Sequence, residues 1–355
     1  MQSFDQAPFL VIWEVTQACD LACAHCRASA VPYRDPCELS TGQGFRLLET
    51  VKYFGDPLMV FTGGDPLKRP DLFSLLEMSI SLGLRTTVTP SATPLLTADA
   101  IAQFKQIGVA RMAISLDGPD ADSHDTFRRV RGSYDRTFFA LGEARRIGLD
   151  TQVNTTVTRH NRYRLAEIAD IVERFSARLW SVLFLVTTGR ARREDDLAAE
   201  DYEEVFGFLY DLSKTSSFDI KTTEAQHYRR FVAQQRKREG ASPKASIPNF
   251  IARQAGINDG KGFVFISHTG EIYPSGFLPI SAGNVRSDSL VAVYRHSPLF
   301  VELRDSDHLR GKCGLCEYRN LCGGSRSRAY ALTGDYLAEE ERCVYKPAAL
   351  SRAVA

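Results

Sequence analysis

The chain has 355 residues, 44% of them hydrophobic and 25% charged, a composition typical of globular proteins rather than of disordered or fibrous ones. Its 44 lysines and arginines balance 43 aspartates and glutamates, which argues against a chain-wide nucleic-acid or membrane-surface role. The N-terminus lacks a basic signal region and the longest apolar stretches fall short of the roughly 20 residues of a membrane span, so we expect a cytoplasmic protein.

Residues 9 to 186 show a repeated alternation of short β-branched runs and amphipathic segments. The runs predict strands at 9–15, 58–61, 84–89, 109–116, 150–157 and 179–186. The segments between them predict helices at 44–54, 71–82, 97–107, 134–147 and 164–177. Strands that alternate with helices imply a parallel sheet with right-handed crossovers. Six strands, where a closed TIM barrel has eight, predict an α/β fold built on a partial (β/α)6 TIM-like barrel.

Beyond residue 186 the alternation stops. A charged segment leads into a helix near 198–214, and a basic stretch at 222–237 and a polar linker at 239–262 follow. Two short apolar runs, 263–267 and 271–273, are joined by a His-Thr-Gly turn and predict a β-hairpin. We therefore expect three regions: a barrel core (1–190), a helical linker that covers the substrate (191–262) and a small C-terminal domain with the hairpin and a cysteine-rich loop (263–355).

The eight cysteines are clustered, which in a reducing compartment indicates metal ligands rather than disulfides. Cys19, Cys23 and Cys26 follow the first predicted strand directly, at the barrel edge where βα loops converge. Three thiolates can hold three irons of a [4Fe–4S] cube and leave the fourth iron open to a substrate or cofactor. A structural zinc is the alternative, but it requires a fourth protein ligand and none is near.

The Cys-x3-Cys-x2-Cys motif after the first of six strands resembles that of the radical S-adenosylmethionine enzymes. The resemblance implies that S-adenosylmethionine chelates the open iron, and that one electron from the cluster cleaves its sulfonium. The resulting 5′-deoxyadenosyl radical then removes a substrate hydrogen. It also implies that Gly63, Gly64 and Asp65 contact the methionyl amino group, although the family more commonly has glutamate at the third position. His25 takes the position of an aromatic beside the adenine, and Val186 belongs to its apolar wall.

Polar residues at or after the later strand ends are candidates, by the same resemblance, for the carboxylate and ribose contacts. Each could instead be a strand-end cap or a surface ion pair. These candidates are Ser91, Ser115, Asp117, Arg128 and Asn154.

The cysteine-rich tail offers four further thiolates, Cys313, Cys316, Cys322 and Cys343, whose spacing suits either a structural zinc or an iron–sulfur cluster. Segment 311–330 is similar to the SPASM-type auxiliary domain of the same family, especially in the branch that makes haem by the alternative route and haem d1. That domain often binds two auxiliary clusters.

Two serines, Ser275 and Ser325, stand where the family has cysteines, so we expect a single, fully ligated auxiliary [4Fe–4S] cluster. A closed cluster suits electron transfer or scaffolding. We expect the vacated site to join the substrate cavity, with Tyr273, Ser275 and Arg326 facing the substrate. We expect Cys37 to be a free thiol.

No residue is assigned to catalysis, but Glu224, His227 and Tyr273 are candidates. Arginines near the cavity mouth suit carboxylates through bidentate pairing, although the basic run at 229–238 could be only a solvated helix face. The substrate-binding candidates are Arg190, Tyr228, Ser275, Arg326 and Arg328.

The leading hypothesis is hydrogen abstraction from a carboxylate-bearing small molecule, tetrapyrrole-like or a sugar-nucleoside acid, followed by decarboxylation or another oxidation or rearrangement. One alternative is a maturase of ribosomally made peptides, for which only eight residues before the first strand leave little room for a leader-binding domain. Another is a non-catalytic iron–sulfur or zinc-binding protein. We expect an electron donor such as flavodoxin or ferredoxin, and neither a nucleic-acid nor a membrane partner.

Overall fold

The computed structural model describes residues 4–240 and 256–352, and within that part of the chain nine strands form one sheet. The strands are β1 (Leu10–Glu14), β2 (Leu58–Thr62), β3 (Thr86–Val88), β4 (Arg111–Ser115), β5 (Thr151–Val157), β6 (Leu179–Phe184), β7 (Asp219–Thr223), β8 (Phe263–Ile266) and β9 (Ile272–Tyr273). Their order across the sheet is β7-β6-β5-β4-β3-β2-β1-β8-β9. All neighbours are parallel except β8 and β9, which form the predicted hairpin.

Helices follow the strands in the alternation that the sequence predicts. They are α1 (Thr41–Lys52), α2 (Leu72–Ser81), α3 (Ala98–Ile107), α4 (Ala121–Arg128), α5 (Ser133–Arg146), α6 (Leu165–Arg174), α7 (Ala199–Leu212), α8 (His227–Arg238), α9 (Leu290–His296), α10 (Pro298–Arg304), α11 (Gly311–Gly314), α12 (Arg326–Thr333) and α13 (Ala348–Arg352). Single 3₁₀ turns lie at Pro66–Lys68, Arg162–Arg164, Arg193–Asp195 and Ser306–His308.

Local sequence signals set the ends of these helices. Ser40 and Gln43 form a capping box at the start of α1, in which each side chain satisfies a backbone N–H of the first turn. Gly108 ends α3 in a left-handed conformation, with φ at 99°, which residues with a Cβ rarely adopt. The apolar faces of these helices pack on the sheet around Trp13, Phe61 and Trp180, all fully buried.

The partial barrel is confirmed, and the sheet extends beyond the six predicted strands on both sides. β7 adds to β6, with Leu179 opposite Asp219, and β8 adds to β1, with Leu10 opposite Phe263. The hairpin therefore continues the barrel sheet instead of standing in a separate layer. The three-region division remains a prediction, and residues 241–255 of the predicted linker lie outside the described residues. Among the described helices, none combines the length and apolar character needed to cross a membrane.

Candidate active site

A cavity lies at the carboxyl ends of the strands. Its wall brings together the three N-terminal cysteines and most residues expected at the cofactor. Those expected residues are His25, Gly63, Gly64, Ser91, Ser115, Arg128, Asn154 and Val186. Because parallel strands end at the same edge, residues from six βα units meet here.

Each of the three cysteine sulfurs in the loop after β1 has a hydrogen-bond donor. Cys19 Sγ accepts from the Leu21 backbone N–H at 3.3 Å, and Cys26 Sγ accepts from the Ala30 N–H at 3.4 Å. Cys23 Sγ accepts from an Arg128 guanidinium nitrogen at 3.5 Å. Donors of this kind stabilise thiolates and tune bound metals. Three such sulfurs on one cavity wall fit a cluster with one iron left open.

Burial raises the pKa of the Cys19 thiol to about 11. The thiol therefore keeps its proton at neutral pH and releases it when a metal binds, because metals bind cysteine as the thiolate.

Gly63 and Gly64 lie against the backbone that leads into the cysteine loop. A Cβ on Gly63 would be 2.6 Å from the Thr16 carbonyl oxygen, and one on Gly64 would be 2.5 Å from the carbonyl oxygen of Ala18. Real side chains do not tolerate such distances, so only glycine lets these two segments pack together. The close contact holds the loop after β2 beside the cysteines.

Asp65 is fully buried and is not part of the cavity wall. Its carboxylate accepts hydrogen bonds from Thr93 Oγ1 at 2.7 Å, Leu67 N–H at 3.2 Å and Ser91 N–H at 3.3 Å. Burial raises its pKa. Asp65 therefore joins the loops after β2 and β3, and this geometry argues against the expected direct contact with the methionyl amino group.

Asp117 also lies behind the cavity wall, where it pairs with Arg128 and accepts the Thr156 N–H at 2.7 Å. Arg128 bridges this carboxylate and Cys23, so Asp117 acts on the site through the arginine and not by direct contact. The expected ribose contact of Asp117 is therefore not supported by its position.

His25 stacks on Phe127, with ring centroids 4.4 Å apart and the planes 6° from parallel. Burial, and next Arg128 and Arg190, hold its pKa well below the usual range, so the ring is neutral. Arg190 donates to the carbonyl oxygens of Cys23 and Ala30, each at 2.9 Å. Arg190 thus holds the cysteine loop, which argues against its expected role in substrate binding.

Several cavity residues were missed by the sequence analysis. Arg27, His124, Thr137, Thr156 and Phe277 line the same wall. Only Arg27 carried a usable signal, because it directly follows the third cysteine of the motif. The others come from α4, α5, β5 and the segment after β9, where nothing in the local sequence marks a site.

The four C-terminal cysteines line a second, mostly apolar cavity. Each sulfur again accepts a hydrogen bond. The donors are the N–H groups of Glu340 to Cys313 at 3.3 Å, of Tyr318 to Cys316 at 3.4 Å and of Gly324 to Cys322 at 3.3 Å, and an Arg230 nitrogen to Cys343 at 3.7 Å. Within residues 4–240 and 256–352, no three His, Cys, Asp or Glu side chains converge on a single metal ion. Four cysteines on the wall of one cavity are the donor set of a four-iron cube.

The three catalytic candidates lie in three different places, none of them on the wall of the first cavity. His227 lines the C-terminal cysteine cavity, and burial lowers its pKa to about 3. Tyr273 is half-buried and stacks on Phe265, with centroids 6.3 Å apart. Glu224 is buried and accepts a hydrogen bond from Ser325 Oγ. Tyr228, a substrate candidate, is buried on α8 against Phe206.

Buried side chains fill the site that the sequence analysis assigned to a lost cluster. Ser275 is 2% exposed and contacts Ser327 Oγ at 3.5 Å. Ser327 in turn donates to Asp259 from its N–H at 2.7 Å and its hydroxyl at 2.9 Å. The serines are thus parts of a closed polar network. The expectation that this space opens into the substrate cavity is not supported by the structure.

Both tail arginines are engaged by the protein itself. Arg326 is 1% exposed and donates to the carbonyl oxygens of Tyr336 and Ala338, at 2.9 and 2.7 Å. Arg328, equally buried, pairs with Glu340 at 3.0 Å and donates to the Leu185 carbonyl oxygen. Every guanidinium nitrogen of Arg328 has a partner in the protein, whereas Nη2 of Arg326 has none among the described residues. Both side chains are buried and neither belongs to the wall of the first cavity, which argues against the expected substrate contacts of both. Cys37 is exposed and has no disulfide partner.

The chain is similar to known proteins both in sequence and in structure. Residues 13–175 match the family model described as the Radical SAM superfamily. The chain is 43% identical over 340 residues to a protein named AdoMet-dependent heme synthase from Nitratidesulfovibrio vulgaris, covering 95% of this chain and 92% of that protein. A protein of the same name from Methanosarcina barkeri is 36% identical over 347 residues, covering 98% and 99% of the two chains. The crystal structure of Streptococcus suis SuiB bound to precursor peptide SuiA matches with a TM-score of 0.75 at 18% identity, over 96% of this chain and 76% of that one.

Proposed function

Because the chain belongs to the radical SAM superfamily, and relatives named AdoMet-dependent heme synthase match almost its whole length, we propose that it makes haem by radical decarboxylation of an iron porphyrin. As a radical SAM enzyme it uses S-adenosylmethionine and a [4Fe–4S] cluster. Cys19, Cys23 and Cys26 are the proposed ligands of that cluster. The observation that carries the proposal is the cavity in which these cysteines meet the strand-end polar residues.

The proposed conversion turns a propionate side chain into a vinyl group. The side chain then loses one hydrogen atom, one molecule of CO₂ and one electron, so atoms and charge balance. When bound, the barrel cluster with S-adenosylmethionine supplies hydrogen-atom abstraction, and a cluster on the four C-terminal cysteines supplies a one-electron acceptor. The protein must hold the carboxylate near the abstraction site and keep the cavity closed to competing donors.

Arg27 is the side chain best placed to bind the substrate carboxylate. It lines the cavity beside Phe277, and its side chain is 20% exposed, against 10% for Arg128, which is bound to Asp117. Its guanidinium pairs with Glu14 at 2.6 Å and donates to the Gly276 carbonyl oxygen at 3.3 Å, and these contacts fix its orientation at the edge of the cysteine loop. An arginine held in this way presents its remaining donors in a fixed geometry that suits carboxylates.

An anaerobic assay with iron coproporphyrin tests the function. The reconstituted protein, dithionite and S-adenosylmethionine should yield one 5′-deoxyadenosine for each side chain that loses the elements of formic acid, measured by mass spectrometry. Formation of 5′-deoxyadenosine with no change in the porphyrin would refute the proposed substrate.

Arg27→Gln should raise the KM for the porphyrin by roughly tenfold or more, since a hydrogen bond to a charged group is worth about 1.5–3 kcal/mol. Cleavage of S-adenosylmethionine without substrate should persist in this variant. Arg193→Gln, at a side chain 68% exposed on the surface, is the matched control. If Arg27→Gln instead reduces substrate-free cleavage, Arg27 supports the cysteine loop rather than the substrate. The peptide-maturase alternative stays a prediction, because a structural match at 18% identity establishes the fold alone.

A further inference from the structure

His227 is a fully buried side chain whose hydrogen-bonding groups have no partner in the protein. It is 0% exposed, and neither ring nitrogen contacts a donor or an acceptor in the described residues. Buried polar groups are nearly always hydrogen-bonded, so an unpaired imidazole requires an explanation. A neutral imidazole always carries one N–H donor, and that donor needs an acceptor.

The imidazole lies on the wall of the cavity that the four C-terminal cysteines share. His227 is the first residue of α8, and Arg230, one turn later, lines the same cavity. Residues three apart lie on one face of a helix. Arg230 already donates to the sulfur of Cys343 at 3.7 Å. One face of α8 therefore points two donors at the cysteine site.

Aromatic side chains of α7 hold the ring in this orientation. Tyr202 stacks on the imidazole with centroids 5.3 Å apart, and Phe206 meets it edge-on at 4.8 Å. All of these rings are fully buried. The ring cannot turn toward solvent to satisfy its nitrogens, and the space that it lines is the cysteine cavity, whose wall also includes Glu340.

We infer that His227 donates a hydrogen bond to a sulfur of the auxiliary cluster and raises its reduction potential. Four cysteines already supply one thiolate for each iron of a cube, so the cluster needs no fifth ligand. The role left for the imidazole is hydrogen-bond donation to a sulfur. Hydrogen bonds to cluster sulfurs stabilise the reduced, more negative state. The inference rests on the proposed function in one respect: a raised potential makes this cluster the acceptor for the electron that decarboxylation releases. His227 is thus a positioning and tuning residue rather than a catalytic one.

The direct test uses the full chain with Cys19, Cys23 and Cys26 changed to alanine, so that only the auxiliary cluster gives an EPR signal. Pulsed EPR of the reduced protein, labelled with ¹⁵N-histidine, should show weak nitrogen coupling that is lost in His227→Phe and retained in His160→Phe. His160 is a surface control whose side chain is 54% exposed. A strong coupling would mean that the nitrogen ligates iron, and no coupling would mean that no histidine contacts the cluster. Either outcome overturns the inference.

The functional readout is the midpoint potential of the same cluster. His227→Phe keeps a ring between Tyr202 and Phe206 but removes the donor. The ratio of reduced to oxidised cluster at a fixed applied potential should fall by about tenfold, equivalent to ~59 mV for a one-electron couple. An unchanged potential overturns the inference.

Iron counting separates a failure of this inference from a failure of the proposed function. If the His227→Phe variant does not bind iron, the nitrogen coupling measured in the protein that retains His227 still shows whether a histidine contacts the cluster. All these measurements need no porphyrin, so they can succeed even if the substrate is wrong.

Discussion

Replacing Glu224 by glutamine should remove a pH-dependent loss of stability. Glu224 is 5% exposed and accepts a hydrogen bond from Ser325. Burial, and next the nearby charge of Asp259, raises its pKa from 4.5 to about 8. At neutral pH the folded protein therefore keeps a proton on this carboxyl, whereas the unfolded chain has released it.

The sign and size of the effect follow from proton linkage. A group whose pKa is raised on folding stabilises the protein fully below its unfolded pKa of 4.5, and this contribution disappears as the pH rises through about 8. One such carboxyl lowers the free energy of unfolding by roughly 1 kcal/mol between pH 7 and pH 9. Glutamine has no proton to release, so the variant should lack this loss while keeping an oxygen that accepts from Ser325.

Urea unfolding of the anaerobic, reconstituted protein at both pH values measures the difference. Trp13 and Trp180 are both fully buried, so their fluorescence reports loss of the core. Other groups that titrate in this range cancel between the two proteins. Glu49→Gln, on the exposed side of α1, is the matched control and should change with pH as the parent does. Equal pH dependence in the parent and in Glu224→Gln would refute the reasoning, because it would mean that Glu224 is already ionised at neutral pH.

Two further predictions concern the iron content of the protein and the role of Asp65 in cofactor binding. The reconstituted protein should contain about eight irons, four for each cube. Cys23→Ala should abolish S-adenosylmethionine cleavage and keep the tail cluster, whereas four irons with one zinc would identify the tail as a zinc site. Asp65→Ala should lower S-adenosylmethionine affinity without loss of iron, because each broken hydrogen bond to the neighbouring loops costs about 1 kcal/mol. The Asp65→Asn variant should bind S-adenosylmethionine with an equilibrium affinity close to that of the parent. If the carboxylate contacts the cofactor directly, asparagine should instead lower the affinity as much as alanine does.

The six barrel strands and the grouping of the cysteines into two sets could be predicted because their signals are local. β1, for example, has the sequence LVIWE, four apolar residues before a glutamate, and the cysteine motif begins shortly after it. β7 could not be predicted, since its sequence DIKTT is polar and its pairing with β6 places it at the sheet edge. The parallel pairing of β8 with β1 joins residues about 250 positions apart, for which a single sequence carries no signal.

Side-chain roles were harder to predict than side-chain locations. Asp65 and Asp117 lie next to the cavity, as the motifs indicated, but both carboxylates turn away from it toward backbone N–H groups and Arg128. Arg326 had no visible partner in the sequence because it donates to backbone carbonyl oxygens, which no residue type marks. Two partners of Arg328, Leu185 and Glu224, are distant in the chain. A charged residue near a motif thus indicates a site, but only the fold decides whether its charge is free or already used.

Arg328 is a buried link between the barrel and the C-terminal cysteines. Its guanidinium pairs with Glu340 at 3.0 Å and donates to the carbonyl oxygens of Leu185 and Glu224, at 3.3 and 2.6 Å. Leu185 belongs to the wall of the first cavity, and the Glu340 N–H donates to the sulfur of Cys313. One buried side chain therefore connects the end of β6 to the C-terminal cysteines. Because breaking a buried pair leaves an uncompensated charge, this arginine and its partner fix the second cysteine site relative to the first.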